Sequence, residues 1–456
     1  MAESTTTHAL PDHPRQWHAH IWRLTWPVIL ANITIPMVGV ADVWVMGRMP
    51  DAAYIASVAL GASMFSAVYW LFGFIRMGTT GLVAQRFGRR QLEDIVGVFA
   101  RAGIIALALG CLMVLLQGPL AWLLFNVIFQ PAGDVAEFAS TYYHIRVFGA
   151  PALLLNLAQL GVLFGLQRMR DTLILSVGLN MMNLILDLVL VLGLDMGVAG
   201  VATGTVISEW SAAFLGMWLV RRALQRAGAS FTLPSDLWDL KHVAPLFHIS
   251  SNLILRTFFV QLPFLGGTIV ATGMGETVLA AHGVLMQLFF VMTYSLDGFA
   301  HTAETLTGYC FGAGKPRDLR RATLYAAWWA LVLAACTSAL YLFAGEAFIF
   351  WFTQAADVRA FAPEFIPWLA LAPVLCTWAF LFDGIFIGTT HIVEMRNAMM
   401  LAALGWLVTL LLTMDRLDYH AVWIAMSVFM LIRSALLALY YPRVERHAAA
   451  ESAVAL

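Results

Sequence analysis

Charge is scarce in this chain. Of its 456 residues only 12% are Asp, Glu, Lys or Arg, where an ordinary globular protein carries about 25%. So few charges cannot cover the surface of a water-soluble domain of this size. The 61% hydrophobic content also excludes disorder, which needs low hydrophobicity. Cysteine is sparse as well. The four, Cys111, Cys310, Cys336 and Cys376, all fall in apolar stretches and read as buried thiols, which excludes a disulfide scaffold. A formal net charge of −1 leaves no basic field for nucleic acid. Enzyme signals are missing too: there is no HExxH, Walker loop or GxSxG, and no Cys/His spacing that suits a metal. What remains is apolar sequence in long runs.

A helix needs roughly 20 apolar residues to cross a bilayer. Runs of this kind lie at 21–46, 54–83, 96–118, 142–166, 172–193 and 198–220, then at 243–271, 278–307, 322–344, 364–389, 394–413 and 420–441. They lack the two-residue alternation of barrel strands. The expected fold is therefore an all-α polytopic membrane protein with twelve transmembrane helices. Residues 1–18 are polar, without the basic-then-apolar order of a cleavable signal. Arginine and lysine gather in alternate loops (Arg86, Arg89 and Arg90; Arg168 and Arg170; Arg221, Arg222, Arg226 and Lys241; Lys315 to Arg321; Arg396) and in both tails. By the positive-inside rule both termini are cytoplasmic.

The two halves resemble each other. Gly73-Phe74 aligns with Gly298-Phe299, Phe87-Gly88 with Phe311-Gly312, Pro151 with Pro373 and Gly165 with Gly388, all at offsets of 222–225. Six spans per repeat give both halves the same orientation, as in parallel-repeat transporters. The expected organisation is a tail at 1–20, an N-lobe at 21–220, a basic linker at 221–242, a C-lobe at 243–441 and a tail at 442–456. Two like bundles facing each other make a central cavity, the usual setting for alternating access.

Ionisable groups inside spans are costly, so each should face protein or water. The first half has Asp42, Arg76, Asp187 and Glu209; the second has Arg256, Asp297, Glu304 and Asp383. In Asn180-Met-Met-Asn183-Leu-Ile-Leu-Asp187 three polar groups stand at i, i+3 and i+7, on one helix face. Both Asp42 and Asp187 lie toward the outer half. Convergence in one lobe would favour a proton held between them. Span 8 carries a second stripe, Gln287, Tyr294, Asp297, His301 and Glu304. With Arg256 and Asp383 these form a C-lobe polar group that is either structural electrostatics or part of transport. Of the intramembrane prolines, Pro27, fifteen residues before Asp42, is the expected bending point. Met37, Tyr69, Met286 and Tyr294 are candidates for a compliant apolar cavity that takes flat cations. His144, His282 and His301 read as satisfied polar groups.

These residues are similar to those of the multidrug and toxic compound extrusion (MATE) family, in its DNA-damage-inducible F-type branch. The resemblance rests on Trp26-Pro27 with Asn32 and Asp42, on Arg76 to Gly88, and on Asn180 to Asp187. It rests further on Leu296 to Ala300, Phe382 to Gly388 and Glu394 to Asn397. It implies two six-helix lobes and export of cationic amphiphiles against inward H⁺ or Na⁺, with no cofactor beyond that ion. It maps the N-lobe cation site onto Asp42, Asn183, Asp187 and Thr205, with Asn180 beside them, and the bending proline onto Pro27. The span 7 carboxylate of the sodium-coupled branch is not matched; Arg256 and Gln261 stand there. The expected setting is a bacterial cytoplasmic (inner) membrane, with the lipid bilayer as surroundings and the protein as a monomer. The expected function is a proton-coupled multidrug antiporter. The rival is a flippase for a lipid-linked saccharide, which would want several cavity-facing basic residues where only Arg76, Arg146, Arg256 and Arg433 lie within spans.

Overall fold

Helices make up nearly all of the computed structural model, which describes residues 10–46, 52–231, 237 and 239–454, with no strand among them. That follows from the solvent the composition implies. In hydrocarbon each backbone N–H and C=O must bond within its own segment. The helices are α1 (Pro14–Met46), α2 (Ala52–Tyr69), α3 (Phe74–Gly88), α4 (Leu92–Leu115), α5 (Gln117–Leu123), α6 (Gly133–Arg146), α7 (Ala150–Gly165) and α8 (Met169–Asp187). They continue with α9 (Gly197–Ala227), α10 (Leu240–Gly273), α11 (Glu276–Gly312), α12 (Pro316–Phe352), α13 (Ala356–Phe361), α14 (Ile366–Gly388), α15 (Ile392–Leu417) and α16 (His420–Val454).

Short helical turns join α2 to α3, α6 to α7 and α13 to α14, so each pair covers one expected span. Among the described residues ten segments are long and apolar enough to cross a membrane, and an eleventh follows if the bent α2–α3 pair is one span. α1, 33 residues long, covers the remaining expected stretch at 21–46. The helices outrun the apolar runs because polar residues at either end continue the same backbone pattern. One element has no counterpart among the expected spans. α5 and the π-helical turn after it, Leu124–Ile128, form a short apolar helix that shows Trp122 and Ile128 to the surroundings.

Four turns share one hydrogen-bond pattern. After α3, α7, α11 and α14, the N–H of Gln91, Arg168, Lys315 and His391 reaches back five residues, at 2.8–2.9 Å, to the carbonyls of Arg86, Leu163, Cys310 and Phe386. The residue before each donor is left-handed: Arg90 (φ 60°), Gln167 (59°), Gly314 (62°) and Thr390 (56°). This is the helix-ending arrangement that satisfies the last carbonyls. A side chain in that region costs about 1 kcal/mol, and only the third turn uses glycine. Gln167→Gly is therefore expected to raise stability by about 0.5–1 kcal/mol. Thermal unfolding of the detergent-solubilised protein checks it, and a lower midpoint for the variant would refute the strain.

The repeat extends to packing. Gly161 and Gly165 bring α7 against α3 at Thr79 and Val83, while Gly384 and Gly388 bring α14 against the carbonyls of Ala300 and Glu304 on α11. Small residues at these positions let helix backbones approach closely in a bilayer.

Two compact units result. The first-half unit is Leu30–Ser250; the second-half unit is Ser251–Leu456 together with the residues up to Ile29. The border cuts α1 just past Pro27 and cuts α10 between Ser250 and Ser251. Residues 21–29 thus group with the second-half unit, where Thr25 Oγ1 lies 2.8 Å from Thr302 Oγ1, and 239–250 group with the first. The stretch 442–454, expected as tail, continues α16 as helix.

Candidate functional site

The polar stripe of span 5 forms on α8 and meets α9. Asn183, 2% exposed, donates from Nδ2 to Thr205 Oγ1 at 3.1 Å, and Thr205 Oγ1 in turn donates to the Val201 carbonyl at 2.9 Å. Asp187 is fully buried and is the last residue of α8 before the π-helical turn Leu188–Gly193. Such turns recur at functional sites. A methyl group on Gly204 would stand 2.7 Å from Asp187 Oδ1, so glycine at 204 leaves the carboxylate its room. Asn180 points the other way along the stripe. Its Nδ2 donates to Thr34 Oγ1 on α1 at 2.6 Å. The side chains of Asp42 and Met37 lie outside the described residues, though both positions are on α1.

Thr34 and Gly204 were not legible as site residues. A lone threonine in an apolar helix and a glycine beside Thr205 carry no pattern of their own. Thr34 also donates to the Ala31 carbonyl at 2.7 Å, so its hydroxyl serves both helix and site.

The four cavity candidates do not gather in one unit. Tyr69 belongs to the first-half unit, where the Arg146 guanidinium lies over its ring and that of Phe65, at 5.5 and 5.3 Å to the centroids. Arg146 binds Glu209 in a two-pronged ion pair of 2.7 and 2.5 Å, both residues buried. Met286 and Tyr294 belong to the second-half unit. Met286 helps to line a small apolar pocket with Phe264, His282, Phe289 and Trp423. His282 is bonded on both nitrogens, to Thr268 and Tyr419.

The second-half polar group resolves into ion pairs. Asp383 on α14 accepts hydrogen bonds from both Arg256 on α10 and Arg433 on α16, and all three are buried. Asp297 stands within electrostatic range of Arg256. Glu304 is paired one turn away with His301, Oε2 to Nδ1 at 3.0 Å. Asp383 is thus tied to two guanidinium groups and Glu304 to an imidazole. Arg433 completes the group, and its distance of 50 residues from Asp383 hid that pairing from sequence.

The family model MatE matches residues 27–189 and 253–413. The chain is 35% identical to the DNA damage-inducible protein F of Escherichia coli, over 93% of this chain and 92% of that one. It is 28% identical to the multidrug resistance protein PmpM of Pseudomonas aeruginosa, over 76% of this chain and 73% of that one. Among solved structures, an outward-facing multidrug resistance MATE family transporter of the MOP superfamily superposes with a TM-score of 0.85 at 20% identity, covering 94% of this chain and 96% of the other. That last likeness is one of fold.

Proposed function

Since the chain belongs to the MatE family, we propose that it exports cationic amphiphilic compounds from a bacterial cytoplasm, as a monomer with both termini cytoplasmic, in exchange for protons. The observation that carries the reading is Asp187, a fully buried carboxylate packed against Gly204, with the Asn183–Thr205 pair one turn away on its helix. A carboxylate in such surroundings needs its charge neutralised. Either a proton or the cationic head of a substrate does that, and one displaces the other. Exclusive occupancy of one negative site is what turns two binding reactions into an exchange. Asp42, on the same lobe by sequence, shares this role.

Pro27 is the hinge in this reading. It lacks the N–H that would bond the Arg23 carbonyl, so bending there gives up no helical bond. On one side of it Thr25 is bonded to Thr302; on the other Thr34 is bonded to Asn180. Release of the second bond would free the outer part of α1 from α8.

Protons are favoured over sodium by the second-half unit. Na⁺ wants several oxygen ligands including a carboxylate, and Asp383 already carries two guanidinium groups. The same pairing disfavours the flippase reading. Arg146 is paired with Glu209, and Arg256 and Arg433 are both tied to Asp383, rather than held ready for a pyrophosphate. The description of PmpM as a multidrug resistance protein supports the substrate class. The test is reconstituted protein given one gradient at a time, with efflux of a fluorescent cation as readout. An imposed pH gradient should drive efflux, and a Na⁺ gradient at equal pH on both sides should not. Efflux driven by Na⁺ alone would overturn the proton assignment.

A further inference from the structure

The last turns of α16 are strapped across the ends of two other helices. Past Pro442, Val444 and Ala448 are fully buried at helical spacing. Ser452 packs so closely on Gly314, in the turn after α11, that a methyl group at 314 would meet its backbone at 2.8 Å. Glu445 lies 4.0 Å from Arg320 on α12. At the turn after α14, His391 and His447 form a direct imidazole pair, Nε2 to Nδ1 at 2.9 Å, their rings stacked 5.1 Å apart.

The bonds around His391 set which proton is where. Its Nδ1 lies 3.0 Å from the Thr389 carbonyl, which can only accept, so Nδ1 carries the hydrogen. Nε2 is then the acceptor, and His447 donates to it from Nδ1. The exposed His447 engages this bond through Nδ1, and its Nε2 takes no part in it. A proton added at His391 goes to Nε2 and destroys the acceptor, leaving two N–H groups face to face. The groups facing His391 are Glu394 from α15 and His447 from α16, while α11 and α14 present the rings of Phe311 and Phe386. Burial holds His391 below the usual histidine range, with His447 adding to the effect and Glu394 opposing it.

We propose that the His391–His447 bond is a pH-sensitive latch, which holds the end of α16 on the second-half unit at neutral pH and lets it go as that face of the membrane turns acid. The sign follows from linkage. The docked state binds fewer protons than the undocked one, so docking is complete above the ordinary histidine value and weakens as pH falls through it, by up to about tenfold per pH unit. The consequence for transport rests on the function proposed above. On a cytoplasmic face, the latch would open when inward proton flow has acidified the cell, and undocking would disturb the ends of α11 and α14 and slow further exchange.

Hydrogen exchange of the whole purified protein, corrected for intrinsic rates, tests the latch without reference to transport. Between pH 7.5 and 5.5, amides of 443–452 should exchange faster, by up to about tenfold. His391→Gln keeps an acceptor for His447 but cannot take the proton, and its tail should stay protected at both values. His447→Ala should lose protection at both. Equal protection of the wild-type tail at the two pH values, or an unchanged step in His391→Gln, would overturn the proposal. Efflux at a fixed pH difference, with internal pH lowered in steps, reads the regulatory part separately. Wild type should slow more steeply than His391→Gln, and parallel curves would refute the brake. A wild-type protein that exchanges stepwise yet fails to respond to any proton gradient would refute the transport reading while leaving the latch.

Discussion

Asp187→Asn is expected to bind substrate and fail to export it. The amide has the size of the carboxylate and fits the same space beside Gly204, so the fold is preserved. It cannot gain or lose a proton, and it offers no charge for a cation to displace it from. Proton-driven efflux should fall to that of protein-free vesicles, while dye binding measured by fluorescence polarisation persists with weakened affinity. Asp42→Asn should behave alike. Wild-type efflux by either variant at equal protein level would sink the coupling role of that residue. Loss of binding together with loss of the folded protein would show instead that the carboxylate is structural.

The second large effect concerns stability. Asp383→Asn leaves Arg256 and Arg433 buried with no anion between them. Removing one partner of a buried pair costs roughly 3–5 kcal/mol, far more than the pair itself contributes. The variant should lose most of its monodisperse yield after detergent extraction and unfold at a markedly lower temperature. Arg433→Gln keeps a balanced Arg256–Asp383 pair and should be much milder. If Asp383→Asn is as stable as wild type, or Arg433→Gln is the worse of the two, the carboxylate is not the centre of that group.

Much of this is legible in the sequence, and the reasons differ by feature. The long apolar runs mark the spans because a bilayer demands them. The stripe from Asn180 to Asp187 reads off directly, since residues at i, i+3 and i+7 share one helix face, although Asn180 meets α1 and Asn183 meets α9. Pairings between distant segments leave no such period. Asp383 finds Arg256 across 127 residues, and Arg146 finds Glu209 across 63. Charges within spans announce that each needs a partner, without saying which. α5 went unseen because its apolar run merges with the end of the third expected span. Thr34 was invisible because its importance lies wholly in Asn180 reaching it.

The four matching turns bear on how this protein can be labelled. Each is only a few residues long and spends its backbone groups on closing the helix before it, as at Gln91, Arg168, Lys315 and His391. A fluorophore, epitope or fusion partner inserted there would have to open those bonds and push two helices apart at the Gly165 or Gly388 contact. The segment between α5 and α6 is closed by Phe129 N–H on the Leu124 carbonyl at 2.9 Å, but past that bond Gln130 and Ala132 are exposed. Reporters meant to follow the transporter at work belong at that segment, where the chain can lengthen without unpicking a hairpin.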